Sequence, residues 1–246
     1  MREELGLRIA AHEKKRLAEA AERRFSCRRY SGELTLADWS ALSYLSGKCA
    51  APGVHLLLTG VGDDVFTGIP VVGKITGCRA VAMVSCRTDP ESRVLAGFSG
   101  EHFVLSLEAL GFHTCWVTGT YRKNALPAII PAGDTLMGII AFGPSQERQP
   151  PRRRKGLDRL CSGRSGAWPE ECLRAAELVL AAPSAMNLQP VHMSLPGSEL
   201  SLDAPPRSAI DLGIALAHAE LAITAPHRWL IGSDIRDLTA RCVWTE

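Results

Sequence analysis

The chain has 246 residues, of which 46% are hydrophobic, 22% charged and 6% aromatic. That composition excludes a mainly disordered chain, and the length suggests one large domain or two small ones with a core that needs no staples. Twenty-eight Lys and Arg against 26 Asp and Glu leave a net charge of +2, which argues against nucleic acid as the main partner. No apolar run approaches the ~20 residues of a membrane span. The first stretch, MREELGLRIAAHEKKRLAEAAERR, is charged throughout, so no secretory leader and no membrane partner are expected, and the protein reads as cytoplasmic.

In chain order, residues 3 to 22 predict a mostly polar helix with one thin apolar stripe. The basic loop RRFSCRRYSGELTL follows, and Thr35 is placed to cap a helix, LADWSALSYLS, that ends at Gly47. VHLLLTG predicts a buried strand, residues 60 to 77 a glycine-rich irregular stretch, and CRAVAMVSC a second buried strand. After Pro90 comes a helix over about 97 to 110, then strands FHTCWVTG and DTLMGIIAFG. SQERQPPRRRKG, residues 145 to 156, is the clearest shift in composition and reads as a linker or as a basic binding segment. Beyond it lie a helix from Pro169 to the residues before Pro183, short strands VHMSL and ELSLD, the apolar helix IDLGIALAHAELAI and a last strand HRWLIG.

The eight cysteines form no C-x-x-C and no metal-ligand spacing with His. They read as small buried hydrophobes in a reducing compartment, and no metal is expected. An internal repeat is suggested by laying GEHFVLSLEALGFHTCWV from Gly100 on GIALAHAELAITAPHRWL from Gly213, which matches Trp116 to Trp229.

Four places carry candidate chemistry. Arg24, Ser26 and Arg28 alternate in an extended loop, so two guanidiniums and a hydroxyl point to one side, which suits a phosphate; the bland alternative is a solvated basic loop. Ala182 to Pro190 (APSAMNLQP) is a polar loop stiffened by prolines, suited to the edge of a planar heterocycle or merely to a helix end. Trp116-Val117-Thr118-Gly119 ends a buried strand with a glycine that admits a ligand to the backbone. Arg152 to Lys155 adds charge for a phosphate or solvates a linker.

Taken together, RFSCRRY, GEHFVLSLEALGFHTCWVTG, PRRRKGL and APSAMNLQP resemble, in that order, four stretches of the nitroreductase family of FMN-dependent oxidoreductases. Val191 stands where the family usually has Trp, and the A-P-S-x-x-N-x-Q-P stretch comes late, as in the subgroup whose chain contains two fused halves. The resemblance implies an α+β sandwich of nitroreductase-like fold, with a central, mainly antiparallel mixed sheet flanked by helices. It implies one compact unit, an intrachain pseudo-dimer of residues 23–150 and 151–246 preceded by an N-terminal helix over 1–22, with one flavin site. It implies FMN as cofactor and NAD(P)H as reductant, with hydride passed by ping-pong chemistry to a nitroaromatic, a quinone or another planar acceptor. A flavin-storing or flavin-sensing protein with little turnover is the alternative. Carried over residue by residue, Arg24, Ser26 and Arg28 would hold the phosphate, ribityl and pyrimidine side; Arg152 and Arg154 would help with the phosphate; Pro183, Ser184 and Asn187 would contact the ring; Thr118 and Gly119 would lie near its reactive nitrogen. No side chain is expected to act as acid or base, the partner is a small molecule, and a monomer is expected, with a homodimer the alternative.

Overall fold

The computed structural model describes residues 3–68, 73–151, 154–163, 168–233 and 237–245. Among the described residues nine strands and six helices follow in the order β1 (Glu3–Leu5), α1 (Ala11–Arg23), α2 (Leu36–Cys49), β2 (Val54–Gly60), β3 (Ala80–Cys86), α3 (Pro90–Ala109), β4 (His113–Val117), β5 (Thr135–Gly143), α4 (Leu157–Leu160), α5 (Glu170–Ala181), β6 (His192–Ser194), β7 (Leu200–Ala204), α6 (Ala209–Glu220), β8 (His227–Ser233) and β9 (Leu238–Trp244). The fold is the expected α+β sandwich, with its strands divided between two antiparallel sheets. One has the order β2-β3-β5-β4 and the other β1-β8-β9-β7-β6. Setting β1 aside, the strands of the second sheet follow the same order as those of the first.

The layers follow from which residues are apolar. Along β3, Ala80, Ala82 and Val84 pack with α2 and α3, while Val81 and Met83 face a second cluster with Phe25, Tyr30, Phe66 and Ile75 from the loops. A strand buried on both faces needs an unbroken apolar run, and AVAMVSC supplies it. Helix α3 lies between the sheets: Phe103, Val104 and Leu107 join the four-stranded sheet, and Val94, Phe98 and Leu105 join the core around α5, α6 and the five-stranded sheet. Helices α3 and α6 cross at glycines. A Cβ on Gly97 would collide with the Ile210 carbonyl, and one on Gly213 with the Val94 carbonyl and, at 2.7 Å, the Phe98 nitrogen. The glycine of α3 that matches Gly213 in this packing is thus Gly97, whereas Gly100 receives the indole of Trp116.

Four elements differ from the sequence expectation. The N-terminal helix begins at Ala11, and residues 3–5 form a strand on β8, because Leu5, Leu7 and Ile9 alternate and are all buried. Helix α2 is capped by Thr35 as expected, with Asp38 closing a reciprocal capping box, but it passes through Gly47 to Cys49. Helix α3 starts at Pro90, where Asp89 caps it through the Ser92 N–H. HRWLIG is not the last strand: β9 follows, with Leu238, Ala240 and Cys242 inward. All eight cysteines are buried and unbridged. Among the described residues, no helix is long and apolar enough to cross a membrane.

Candidate functional site

The basic loop leaves α1 and runs beside β4. Ser26 makes a parallel bridge to Thr114, and the Cys27 N–H donates to the Thr114 carbonyl at 2.9 Å. Side chains alternate along it as an extended segment requires, but not all toward solvent. Arg24 is 1% exposed, and its Nε lies 4.0 Å from Glu101 Oε1 on α3. The same carboxylate accepts from Trp116 Nε1 at 2.7 Å and lies 2.9 Å from His218 Nε2 on α6. The Arg24 charge is therefore set at the junction of the two central helices. Arg28 is half-buried, and its Nη1 donates to the Ser26 carbonyl at 3.2 Å. Among the described residues no carboxylate forms an ion pair with Arg28.

The neighbouring Arg29 is engaged differently. Glu147 Oε2 accepts the N–H groups of Arg28 and Arg29 at 2.6 and 2.8 Å, and its Oε1 lies 3.5 Å from Arg29 Nη2. Partial burial works against this carboxylate, but the two main-chain donors outweigh it, and its pKa falls below the ordinary value. Ser145 Oγ donates to the Arg29 carbonyl, and the Ser31 N–H donates to Pro144 O at 2.9 Å. The start of the stretch read as a linker is thus fastened to the basic loop. At the far end of β4, Thr118 and Gly119 are exposed, and a Cβ at Gly119 would meet nothing within 4 Å.

The second group forms around Ala182 to Pro190. Met186, Asn187 and Gln189 have φ of 51°, 55° and 48°, in the left-handed region that L side chains resist. The loop is held from all sides. Ser184 Oγ accepts the Gln189 N–H at 2.9 Å, and Asp211 Oδ1, in the first turn of α6, accepts the Ala185 N–H at 3.0 Å. Burial raises the Asp211 pKa, against the opposing effect of that N–H. Arg154 donates to the Ala181 and Ala182 carbonyls and to Asn187 Oδ1, and Lys155 to Gln189 O and Gln189 Oε1. Pro183, Ser184 and Gln189 edge a mainly apolar cleft whose walls include Leu180, Val191 and Ala215. A concave apolar site with a few fixed polar groups is what a planar heterocycle needs.

The predicted residues therefore form two groups, Arg24, Ser26, Arg28, Thr118 and Gly119 around β4, and Arg154, Pro183, Ser184 and Asn187 at the loop of residues 182–190, of which Pro183 and Ser184 line the cleft. The bonds described here run within each group. Arg152 lies outside the described residues. Glu147, Gln189 and Asp211 bond to these two groups and are not among the residues the sequence assigns to the site. Gln189 was within a recognised motif, while Glu147 and Asp211 act on partners remote in sequence and left no local signal.

No curated protein matches the chain. Among solved structures, a "putative nitroreductase" of Thermotoga maritima is similar over 94% of each chain, with 23% identity and a TM-score of 0.65. A nitroreductase family protein of Streptococcus pneumoniae is 10% identical over 59% of this chain and 98% of its own, with a TM-score of 0.49. One from Desulfovibrio desulfuricans, solved in complex with FMN, is 22% identical over 56% of this chain and 91% of its own, with a TM-score of 0.42. The profile of the family described as "Putative TM nitroreductase" matches residues 16–223. With most of its length matched in this way and a nitroreductase fold around the cleft, the chain belongs to that family.

Proposed function

We propose that the chain is an FMN-dependent oxidoreductase that takes hydride from NAD(P)H and passes it to a planar acceptor such as a nitroaromatic or a quinone. The observation that carries this reading is the loop with left-handed Met186, Asn187 and Gln189, locked beside an apolar cleft that Ser184 and Gln189 edge. Three features fit FMN. The half-buried Arg28 guanidinium has no carboxylate partner among the described residues and is suited to a phosphate. The main chain at Gly119 is open to close approach. Ser184 and Gln189 bring side-chain polar groups to the cleft rim, and Asn187 lies between them in the same loop, suited to the edge of a flavin ring. With Arg24 turned to Glu101, the phosphate charge is assigned chiefly to Arg28.

When bound, FMN supplies the centre that accepts and donates hydride. The chain's own residues bind and orient it and keep one apolar face of the cleft for reductant and acceptor in turn. No acid or base is required of them, since water can supply protons. The common strand order of the two sheets supports reading residues 23–150 and 151–246 as fused halves that share one site, and a monomer as the working form.

A second reading, flavin binding with little turnover, is favoured by one residue. Val191 lines the cleft where the family motif has Trp, and so offers a smaller wall to the acceptor. The purified chain titrated with FMN, then mixed with NADH or NADPH, separates the readings. Bound flavin bleached by the nicotinamide and recoloured by a quinone supports the enzyme. Bound flavin that never bleaches supports storage or sensing, and no binding at all overturns both.

A further inference from the structure

Arg154 was expected to help hold a phosphate, but its guanidinium is committed elsewhere. Nη1 donates to Ala182 O at 2.9 Å and to Asn187 Oδ1 at 2.9 Å, and Nη2 donates to Ala181 O at 3.1 Å. Ala181 closes α5 and Ala182 caps it, so their carbonyls have no further helical turn to bond, and Pro183 beyond them has no N–H to offer. The planar fork thus spans a helix end and the first carboxamide of the left-handed loop. Lys155 grips the second carboxamide, its N–H donating to Gln189 Oε1 at 3.0 Å and its Nζ to Gln189 O at 2.7 Å. Two adjacent basic residues therefore clamp the loop at Asn187 and Gln189, two of its three residues with positive φ.

The clamp has a chemical consequence. A guanidinium only donates, so the oxygen of the Asn187 carboxamide must face Arg154, and its NH2 is turned the other way. Arg154 thereby fixes which edge Asn187 presents as a donor.

We propose that Arg154 is a positioning residue for the flavin ring and not a ligand of the phosphate. It holds Asn187 and the left-handed turn in the shape that receives the ring. This rests on the flavin reading above.

Riboflavin carries the same ring without the phosphate, so paired titrations of the full-length chain separate the two roles. Affinities for FMN and riboflavin are read by flavin fluorescence quenching, with thermal melting of each apo-variant as a check on folding. Arg154→Ala is expected to weaken both flavins by the same factor, tenfold or more, leaving their ratio as in the wild type. Arg154→Lys keeps the charge and loses the fork, and is expected to weaken both flavins nearly as much. If Arg154→Ala does not fold, the lysine variant carries the test. Arg28→Ala is expected to weaken FMN alone. Loss of FMN affinity with riboflavin unchanged in Arg154→Ala, or rescue of FMN binding by lysine, would overturn the proposal in favour of a phosphate ligand. Unchanged affinity for both flavins would overturn it as well. A wild-type chain that binds neither flavin would overturn the flavin reading and this proposal together, an outcome distinct from the others.

Discussion

A carboxylate that accepts two successive main-chain N–H groups is held more firmly than one on a surface lysine, because the donors are fixed by the backbone. Glu147 is in that position on Arg28 and Arg29. Its lowered pKa means that its contribution to stability is present above its ordinary value of 4.5 and is lost as pH falls through the folded value. Glu147→Gln keeps an acceptor but loses the charge, and is expected to cost about 1–2 kcal/mol near neutral pH. Urea midpoints of the two proteins should converge as pH falls below 4.5 and through the folded value; a gap that persists in acid would mean the carboxylate is not what holds the segment. The sequence shows why such a residue escapes notice. SQERQPPRRRKG looks like a solvated connector, and nothing local says that one of its carboxylates reaches back to residues 28 and 29. Arg24 escapes for the mirror reason. The alternation of Arg24, Ser26 and Arg28 was legible, but the carboxylate that draws Arg24 inward lies on α3.

Helices α3 and α6 approach so closely that backbone meets backbone at Gly97 and Gly213. Gly213→Ala is expected to destabilise the protein by about 1–3 kcal/mol, the cost of overpacking a site whose neighbours are main-chain atoms that cannot swing aside. A denaturant midpoint within error of the wild type would mean that the helices can part without loss. This close packing also explains which elements were readable. Amphipathic α5 was predicted to within a residue, since one face is apolar and the other wet. Helix α3 is buried nearly all round and has no stripe to mark its start, so the signal lay in the cap, Asp89 before Pro90. The sequence of β1 also fits a helix, because Leu5 and Ile9 suit a helical spacing as well as a strand one, and only Leu7 between them decides it. The A-P-S-x-x-N-x-Q-P loop was legible because prolines and polar side chains stand out between apolar elements. The three left-handed residues within it were not, since none is a glycine.

Over the whole molecule, one ion-pair cluster ties the N-terminal helix to the second sheet. Lys14 on α1 reaches Glu220 Oε1 at 2.8 Å and Ile223 O at 2.6 Å, while Glu220 Oε2 accepts from Trp229 at 2.9 Å and lies 2.7 Å from His227 Nε2. The other ring nitrogen of His227 lies 2.8 Å from the Ala225 carbonyl, so both nitrogens can donate only when the ring is protonated. The bond to Glu220 chiefly raises the His227 pKa above 6.5. Burial opposes the charge on Glu220, but its three bonds outweigh that and lower its pKa below 4.5. The histidine's contribution is complete below its ordinary value and fades as pH rises through the folded one; the glutamate's is complete above its ordinary value and fades as pH falls through the folded one. Both are whole between pH 4.5 and 6.5. His227→Gln is expected to flatten the alkaline side of a plot of Tm against pH, and an alkaline side identical to the wild type would place that titration elsewhere. The strand β1 carries a different consequence. Glu3 pairs with Ile231, so β1 can dock only once the distant segment that carries β8 has been made and folded. Until then Leu5, Leu7 and Ile9 stay uncovered, and the second sheet gains its outer strand late, after a long loop has closed.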